Sequence, residues 1–188
     1  MRNVIYAINI TLDGCCDHTK FNPDDEMLEY FTHLTRDADT FLYGCKTYQL
    51  MVPYWPDVAK NPLGQNNRKV DIEYARAFDA INKIIVFSQS LDSPEGKKTR
   101  IVRTSLHDEI LKSKREQGKD ILTGGVTIPS QLAELGLIDE YHFVVHPIVA
   151  GEGRLLFEGI NLKEKLRLKL VESTVFKSGG VALRYLKQ

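Results

Sequence analysis

The stretch DILTGGVTIPSQLAELGLIDE, residues 120–140, decides the architecture. A short apolar run closes on Thr123-Gly124-Gly125, an amphipathic segment follows at once, and a second apolar run begins near Leu137. Strand, turn, helix and strand in that order predict a parallel crossover unit. The paired glycines admit two readings. Glycine is the default where the backbone turns sharply, and it also stands where a ligand must approach the main chain.

Working outward, the same alternation repeats. Residues 3–10 (NVIYAINI) read as a strand buried on both faces, followed by a long loop over 11–22. Asn22-Pro23-Asp24 reads as a helix start, with a cap candidate, a proline in the first turn and acids at the positive end of the dipole. Met27, Leu28, Phe31 and Leu34 then follow helical spacing. DTFLYG (39–44) is a strand, CKTYQLM (45–51) a short helix, and 52–70 a loop. VDIEYARAFDAI (70–81) is helical, NKIIVFS (82–88) a buried strand, 89–98 a polar loop, and TRIVR (99–103) a strand. A helix follows over 105–118, opened by Ser105, with Glu109 near capping-box spacing and Gly118 at its end.

Beyond residue 136 the pattern turns to strands alone: 137–149, 165–176 and 181–188, with KSGG (177–180) as a hairpin turn. LRLKL (166–170) alternates as a half-exposed antiparallel strand should. The expected fold is three-layer α/β/α, a mostly parallel central sheet with a C-terminal antiparallel hairpin at its edge. No linker or repeat divides the chain, so residues 1–188 read as one domain.

Composition narrows the function. Lys plus Arg is 25 and Asp plus Glu is 25, so the net charge is zero, which argues against nucleic acid or an anionic membrane as the main partner. No run approaches the roughly 20 apolar residues of a membrane helix. The cysteines are Cys15, Cys16 and Cys45; an odd number without zinc spacing fits a reducing cytoplasm and no structural metal. His142 and His146 share a strand face but lack a third ligand, so core or interface histidines are the better reading. Cys15-Cys16 reads as a buried pair, and Asp139-Glu140 as fixing the turn into a strand.

In open α/β sheets, ligands bind beyond the carboxyl ends of the strands. Three such ends carry suitable residues: Gly44-Cys45-Lys46-Thr47, Ser88-Gln89-Ser90, and Thr123-Gly124-Gly125-Val126-Thr127. Free backbone N–H groups, the Lys46 charge and the hydroxyls of Thr47, Ser88 and Ser90 suit an anion. Singly each is a plain loop; together they describe a site of nucleotide size. Neither G-x-G-x-x-G nor a P-loop motif is present.

These motifs resemble the dihydrofolate reductase-like superfamily, and most closely its riboflavin-biosynthesis reductase branch. The resemblance spans nearly the whole chain and rests on the first strand running into TLDG (11–14), GCKTYQ (44–49), ILTGGVTI (121–128) and GLIDEYHFVVHPIVAGEGRLLF (136–157). It implies an NADPH-dependent oxidoreductase that passes a hydride to a small flat heterocycle, such as 5-amino-6-(5-phosphoribosylamino)uracil. It places Lys46, Thr47 and Ser88–Ser90 at the adenosine phosphates, Gly124, Gly125, Val126 and Thr127 along the pyrophosphate and nicotinamide ribose, and Ile8 and Asn9 beside the nicotinamide. Cys45 stands where the family has arginine. A side chain at Gly124 or Gly125 is expected to collide with the pyrophosphate.

The resemblance also places the substrate between the 11–22 loop, the first helix and the Trp55 loop, near Asp13, Met27, Phe31, Tyr54 and Trp55. Trp55 can stack on a heterocycle or pack on the surface or in a subunit interface. The carboxylate of folate reductases falls near Met27, where no acid stands; Asp25 and Glu26 are the nearby acid–base candidates. The motif of a zinc deaminase, which often precedes this domain, is absent. Subunits of such proteins tend to pair, so a homodimer using the C-terminal strands is expected. Dihydrofolate reduction, a non-catalytic nucleotide-binding protein on the same fold, and a flavin-binding reductase are the alternatives.

Overall fold

The computed structural model describes residues 1–62, 64, 67–94 and 98–188. Parts of the loops expected over 52–70 and 89–98 (63, 65, 66 and 95–97) lie outside the described residues. In chain order the elements are β1 (Val4–Thr11), α1 (Asp25–Asp37), β2 (Ala38–Gly44), α2 (Cys45–Met51), α3 (Tyr54–Lys60), α4 (Lys69–Asp79), β3 (Lys83–Phe87), β4 (Thr99–Val102), α5 (Leu106–Arg115), β5 (Asp120–Thr123), α6 (Thr127–Glu134), β6 (Glu140–His146), β7 (Leu168–Val175) and β8 (Val181–Lys187).

The strands form one sheet in the order β4-β3-β2-β5-β1-β6-β8-β7. Pairing is parallel from β4 through β6 and antiparallel for β6–β8 and β8–β7. This is the expected three-layer architecture with its edge hairpin. Side chains alternate between two apolar layers, as the pleat requires. Val4, Tyr6, Ile8 and Ile10 of β1 join Ile110 of α5 and Ile128 and Leu132 of α6 in one layer. Ile5 and Ala7 join Leu28 of α1, Tyr48 of α2 and Tyr74 and Phe78 of α4 in the other. At the sheet centre Leu42 and Ile85 are fully buried.

Several boundaries differ from the expectation, each for a local reason. The α1 cap is Asp24 rather than Asn22, because the Asp24 carboxylate accepts the Met27 N–H at 2.7 Å. Part of the loop expected over 52–70 is α3; Pro53 stands at its cap and Pro56 in its first turn, where a missing N–H costs no helical bond. Helix α5 opens at Ser105 but closes at Arg115 with Glu116 as cap, short of Gly118. Its Glu109 makes no capping box and pairs with Arg100 of β4 instead.

The alternation in LRLKL holds at its start: Leu166 and Leu168 pack on the apolar layer while Arg167 and Lys169 are exposed. β7 itself starts at Leu168, and a bulge at Val171, between Leu170 and Glu172, breaks its register with β8. Leu170, Val171 and Val175 are exposed. Polar groups fix the hairpin half instead. Glu140 accepts from Arg184 (2.8 Å) and pairs with His142 (2.5 Å), whose other ring nitrogen meets the Tyr30 hydroxyl of α1. Burial alone would raise the Glu140 pKa, but His142 and Arg184 outweigh it and bring the carboxyl down to about 2. Asp139 does fix the turn into β6, accepting from the Val4 N–H at 2.7 Å and from Lys114 at 2.5 Å.

Candidate functional site

Because β1, β2, β3, β5 and β6 run parallel, their carboxyl ends share one side of the sheet. The strand order sets the sequence of loops along this rim: 88–90 after β3, 44–47 after β2, 124–127 after β5, then the ends of β1 and β6. At about 4.8 Å per strand the row is roughly 19 Å long. The three glycine- and hydroxyl-bearing stretches are therefore neighbours. A separate cavity of about 420 Å³, floored by Val52, Phe78 and Ile84, lies at the opposite ends of β3 and β4.

The two central glycines have different causes. Gly125 has φ +82°, and a Cβ there would lie 2.2 Å from Thr47 Oγ1. The protein's own packing demands this glycine, and Tyr6 holds the turn by donating to the Gly125 carbonyl at 2.8 Å. The expectation that a ligand excludes a side chain is thus unnecessary at Gly125. Gly124 has no positive φ, and a Cβ there would meet only ordinary contacts, the Ala7 carbonyl at 3.5 Å and the Tyr43 ring at 3.9 Å. Nothing among the described residues requires glycine at 124.

Lys46 is exposed on α2, one residue before Thr47, whose hydroxyl faces Gly125. Arg154, to which the sequence reading gave no role although it lies in the GEGRLLF block, donates to Thr127 Oγ1 at 3.1 Å. Neither forms an ion pair among the described residues, and the Arg154 guanidinium stands uncompensated beside the first turn of α6. That is the electrostatics of an anion site. Of the remaining rim residues, Ser88 is buried and its hydroxyl accepts from the Ser90 and Leu91 N–H groups, shaping the turn, while Ser90 is exposed. Gln89 donates to the Arg103 carbonyl at 3.3 Å, Thr123 donates to the Leu42 carbonyl at 2.8 Å, and Val126 is the cap residue of α6. Ile8 is buried in the apolar layer, and Asn9 is half-buried on the opposite face of β1.

The substrate-side candidates do not gather as closely. Asp13 uses both carboxylate oxygens on the chain itself, accepting from Thr11 at 2.5 Å and from the Ala150 and Gly151 N–H groups at 3.1 and 2.8 Å. These bonds, Thr11's first, lower its pKa to about 2. Asp25 pairs with Arg68 at 2.9 Å and Glu26 with Lys177 at 2.8 Å. Met27 is buried against Val144, Phe176 and Ala182, with Phe31 beside it. Trp55 packs edge-on against Tyr74 and Tyr54, and Tyr54 is exposed.

The 12–24 loop is stitched to the 147–157 loop. Cys15 bridges to Leu155, Cys16 donates its N–H to the Arg154 carbonyl at 2.8 Å, and Lys20 pairs with Glu152 at 2.5 Å. Cys15 is fully buried, and burial followed by the neighbouring Cys15 pushes the Cys16 thiol up to about 11, which suits packing rather than redox chemistry. His142 and His146 share the α1-facing side of β6, as expected, and both are buried. Among the described residues no three His, Cys, Asp or Glu side chains gather as a metal site, and no helix is long and apolar enough to cross a membrane.

Comparison with known proteins places this rim in context. The RibD C-terminal domain profile matches residues 2–182. YyaP of Bacillus subtilis strain 168, described only as an uncharacterized protein, is 30% identical over 98% of this chain and 94% of its own. A putative riboflavin biosynthesis protein from Shewanella sp. PV-4 superposes with a TM-score of 0.71 at 20% identity, covering 100% of this chain and 99% of its own. The diaminohydroxyphosphoribosylaminopyrimidine deaminase/5-amino-6-(5-phosphoribosylamino)uracil reductase of Thermotoga maritima superposes with a TM-score of 0.67 at 17% identity. All of this chain is covered there, but only 57% of the Thermotoga chain. At such identities the superpositions speak to the fold.

Proposed function

The chain belongs to the RibD C-terminal domain family, and from that premise we propose that it is an NADPH-dependent reductase of a small flat heterocycle, of the 5-amino-6-(5-phosphoribosylamino)uracil type. The observation that carries the reading is Gly124. No contact among the described residues requires a glycine there, and the turn leads into Thr127, which Arg154, unpaired among the described residues, contacts; Lys46 stands exposed on α2, beside Thr47 in sequence. A dinucleotide's phosphates fit that cradle: the missing side chain lets them reach the backbone, and the cations match their charge.

In this reading Lys46, Thr47, Arg154 and the Gly124–Thr127 turn hold the phosphates, Ser90 extends the row toward the adenosine, and Ile8 and Asn9 border the nicotinamide. When bound, the cofactor supplies a hydride to an electrophilic carbon of the substrate. The chain orients the two rings and keeps water out. Met27, at the position of the folate-reductase acid, is buried and apolar, and Asp25 and Glu26 are held by Arg68 and Lys177. Dihydrofolate reduction is therefore the weaker alternative. We also assign the protein to a reducing cytoplasm, on its three free cysteines, and a homodimer contact to the exposed apolar residues of the hairpin.

Calorimetric titration with NADPH and NADH tests the reading; Trp55, packed on Tyr74, is a poor reporter for the rim. Micromolar NADPH binding that weakens at least tenfold in Lys46→Ala plus Arg154→Ala is expected. Folded protein that binds neither nucleotide below millimolar concentration would remove the reductase reading. NADPH binding without oxidation by any pyrimidine or pterin would favour the non-catalytic alternative.

A further inference from the structure

Asn9, which borders the nicotinamide in this reading, has a side-chain partner with no role so far: His146, at the α1-facing end of the rim. His146, the last residue of β6, is 2% exposed. Its ring stacks on Phe21 of the 12–24 loop, with centroids 4.4 Å apart and planes at 18°. Its Nε2 lies 3.0 Å from Asn9 Oδ1. Parallel pairing sets this up, since Asn9 and Thr11 of β1 stand opposite Val144 and His146 on one face.

With the Asn9 oxygen turned to the ring, Nε2 must carry the ring proton and Nδ1 is the bare nitrogen, because an amide oxygen only accepts. The reverse arrangement is also self-consistent: with the proton on Nδ1, Nε2 would accept from the Asn9 amino group, and the Asn9 oxygen would face outward. Ring proton and amide orientation form one two-state element. The Phe21 stack holds the ring plane, and the observed state leaves the Asn9 Nδ2 hydrogens without a partner among the described residues. Burial of His146, only partly offset by the Asp24 carboxylate, lowers its pKa.

We propose that His146 is a positioning residue that fixes Asn9 as a hydrogen-bond donor to a carbonyl oxygen on a flat ring in the cleft. This deepens the reductase reading and rests on it. The carbonyl belongs to the nicotinamide carboxamide or to an oxo-pyrimidine of the uracil type. A fixed donor discriminates strongly: a ring with an amino group at that position brings two donors together and leaves both unpaired.

The test compares wild type with Asn9→Leu, His146→Phe and His146→Gln. Phenylalanine keeps the stack on Phe21 and removes the donor; glutamine returns an amide nitrogen near the place of Nε2. Calorimetry is run with NADPH, with diaminouracil, and with the tetraaminopyrimidine in which both ring carbonyls become amino groups. Ring-nitrogen NMR of wild type reads the His146 tautomer. The expected result is a proton on Nε2, an approximately tenfold loss for NADPH alone or for diaminouracil alone in Asn9→Leu and His146→Phe, and affinity within about twofold of wild type in His146→Gln. The probe that weakens identifies the source of the carbonyl, and loss for diaminouracil should accompany weak binding of the tetraamino compound to wild type. A proton on Nδ1, equal loss for both probes, no loss in His146→Phe, or a His146→Gln as weak as His146→Phe would overturn the assignment. If wild type binds none of the probes, the reductase reading falls, and the tautomer alone still decides whether Asn9 presents a donor.

Discussion

The two halves of the sheet are held by different forces. From β3 to β1 the strands are largely apolar and buried on both faces, and their stability comes from packing of residues such as Leu42 and Ile85. From β6 to β7 one face carries a polar column, Glu140 with His142 and Arg184, and the outermost strand is largely exposed. The first half offers a rigid platform for loops at the strand ends. The second couples the sheet to α1 through Tyr30, whose hydroxyl is pushed up to about 12 by burial. Packing tolerates changes of pH, whereas a buried ion network does not.

Mutations can break this contrast. Leu42→Ala should cost about 3–4 kcal/mol in denaturant unfolding, with no dependence on pH between 4 and 7, because only apolar contacts are lost. Glu140→Gln should cost about 2–3 kcal/mol at pH 7, and most of that difference should disappear in acid. The sign follows from the folded pKa of about 2 lying below the carboxylate's ordinary 4.5: the stabilisation is present above the ordinary value and is lost as pH falls toward the folded one. Equal losses for the two variants at pH 3 and pH 7 would erase the distinction.

The glycine pair sharpens the comparison within the packed half. Gly125→Ala should cost about 1–2 kcal/mol from its left-handed backbone alone, and more from the Thr47 contact. Gly124→Ala should leave the melting temperature nearly unchanged while weakening NADPH about tenfold. Affinity as strong as wild type in Gly124→Ala would mean that nothing approaches the backbone there. The smallest effect belongs to Val175→Ser, on an exposed stretch of β7, expected within about 0.5 kcal/mol in unfolding of the isolated subunit.

The same division governs what could be read from the sequence. Short apolar runs marked the buried strands, and the glycine closing DTFLYG at 44 marked the start of α2 at Cys45. Helix α3 was hidden by Pro53 and Pro56, which in a first turn do not break a helix. The rim stretches were legible because each is local. The Asn9–His146 pair was not: its members lie 137 positions apart and meet only through strand pairing. Arg154 was likewise silent, since its meaning comes from Thr127 and from the absence of a carboxylate beside it. Asp13 looked like a binding residue, but it serves the two N–H groups of the 150–151 turn.

The bulge in β7 also governs how copies of this protein can meet. A straight incoming strand meets only two short stretches, 168–170 and 172–175, of which alternate residues face outward, before the bulge takes it out of step. The exposed Leu170, Val171 and Val175 can still attract an apolar surface, but they do so on an edge that will not template a continuous ladder. Stickiness is thereby uncoupled from templating: the side chains of this border are apolar, but its backbone is a poor guide for a second strand.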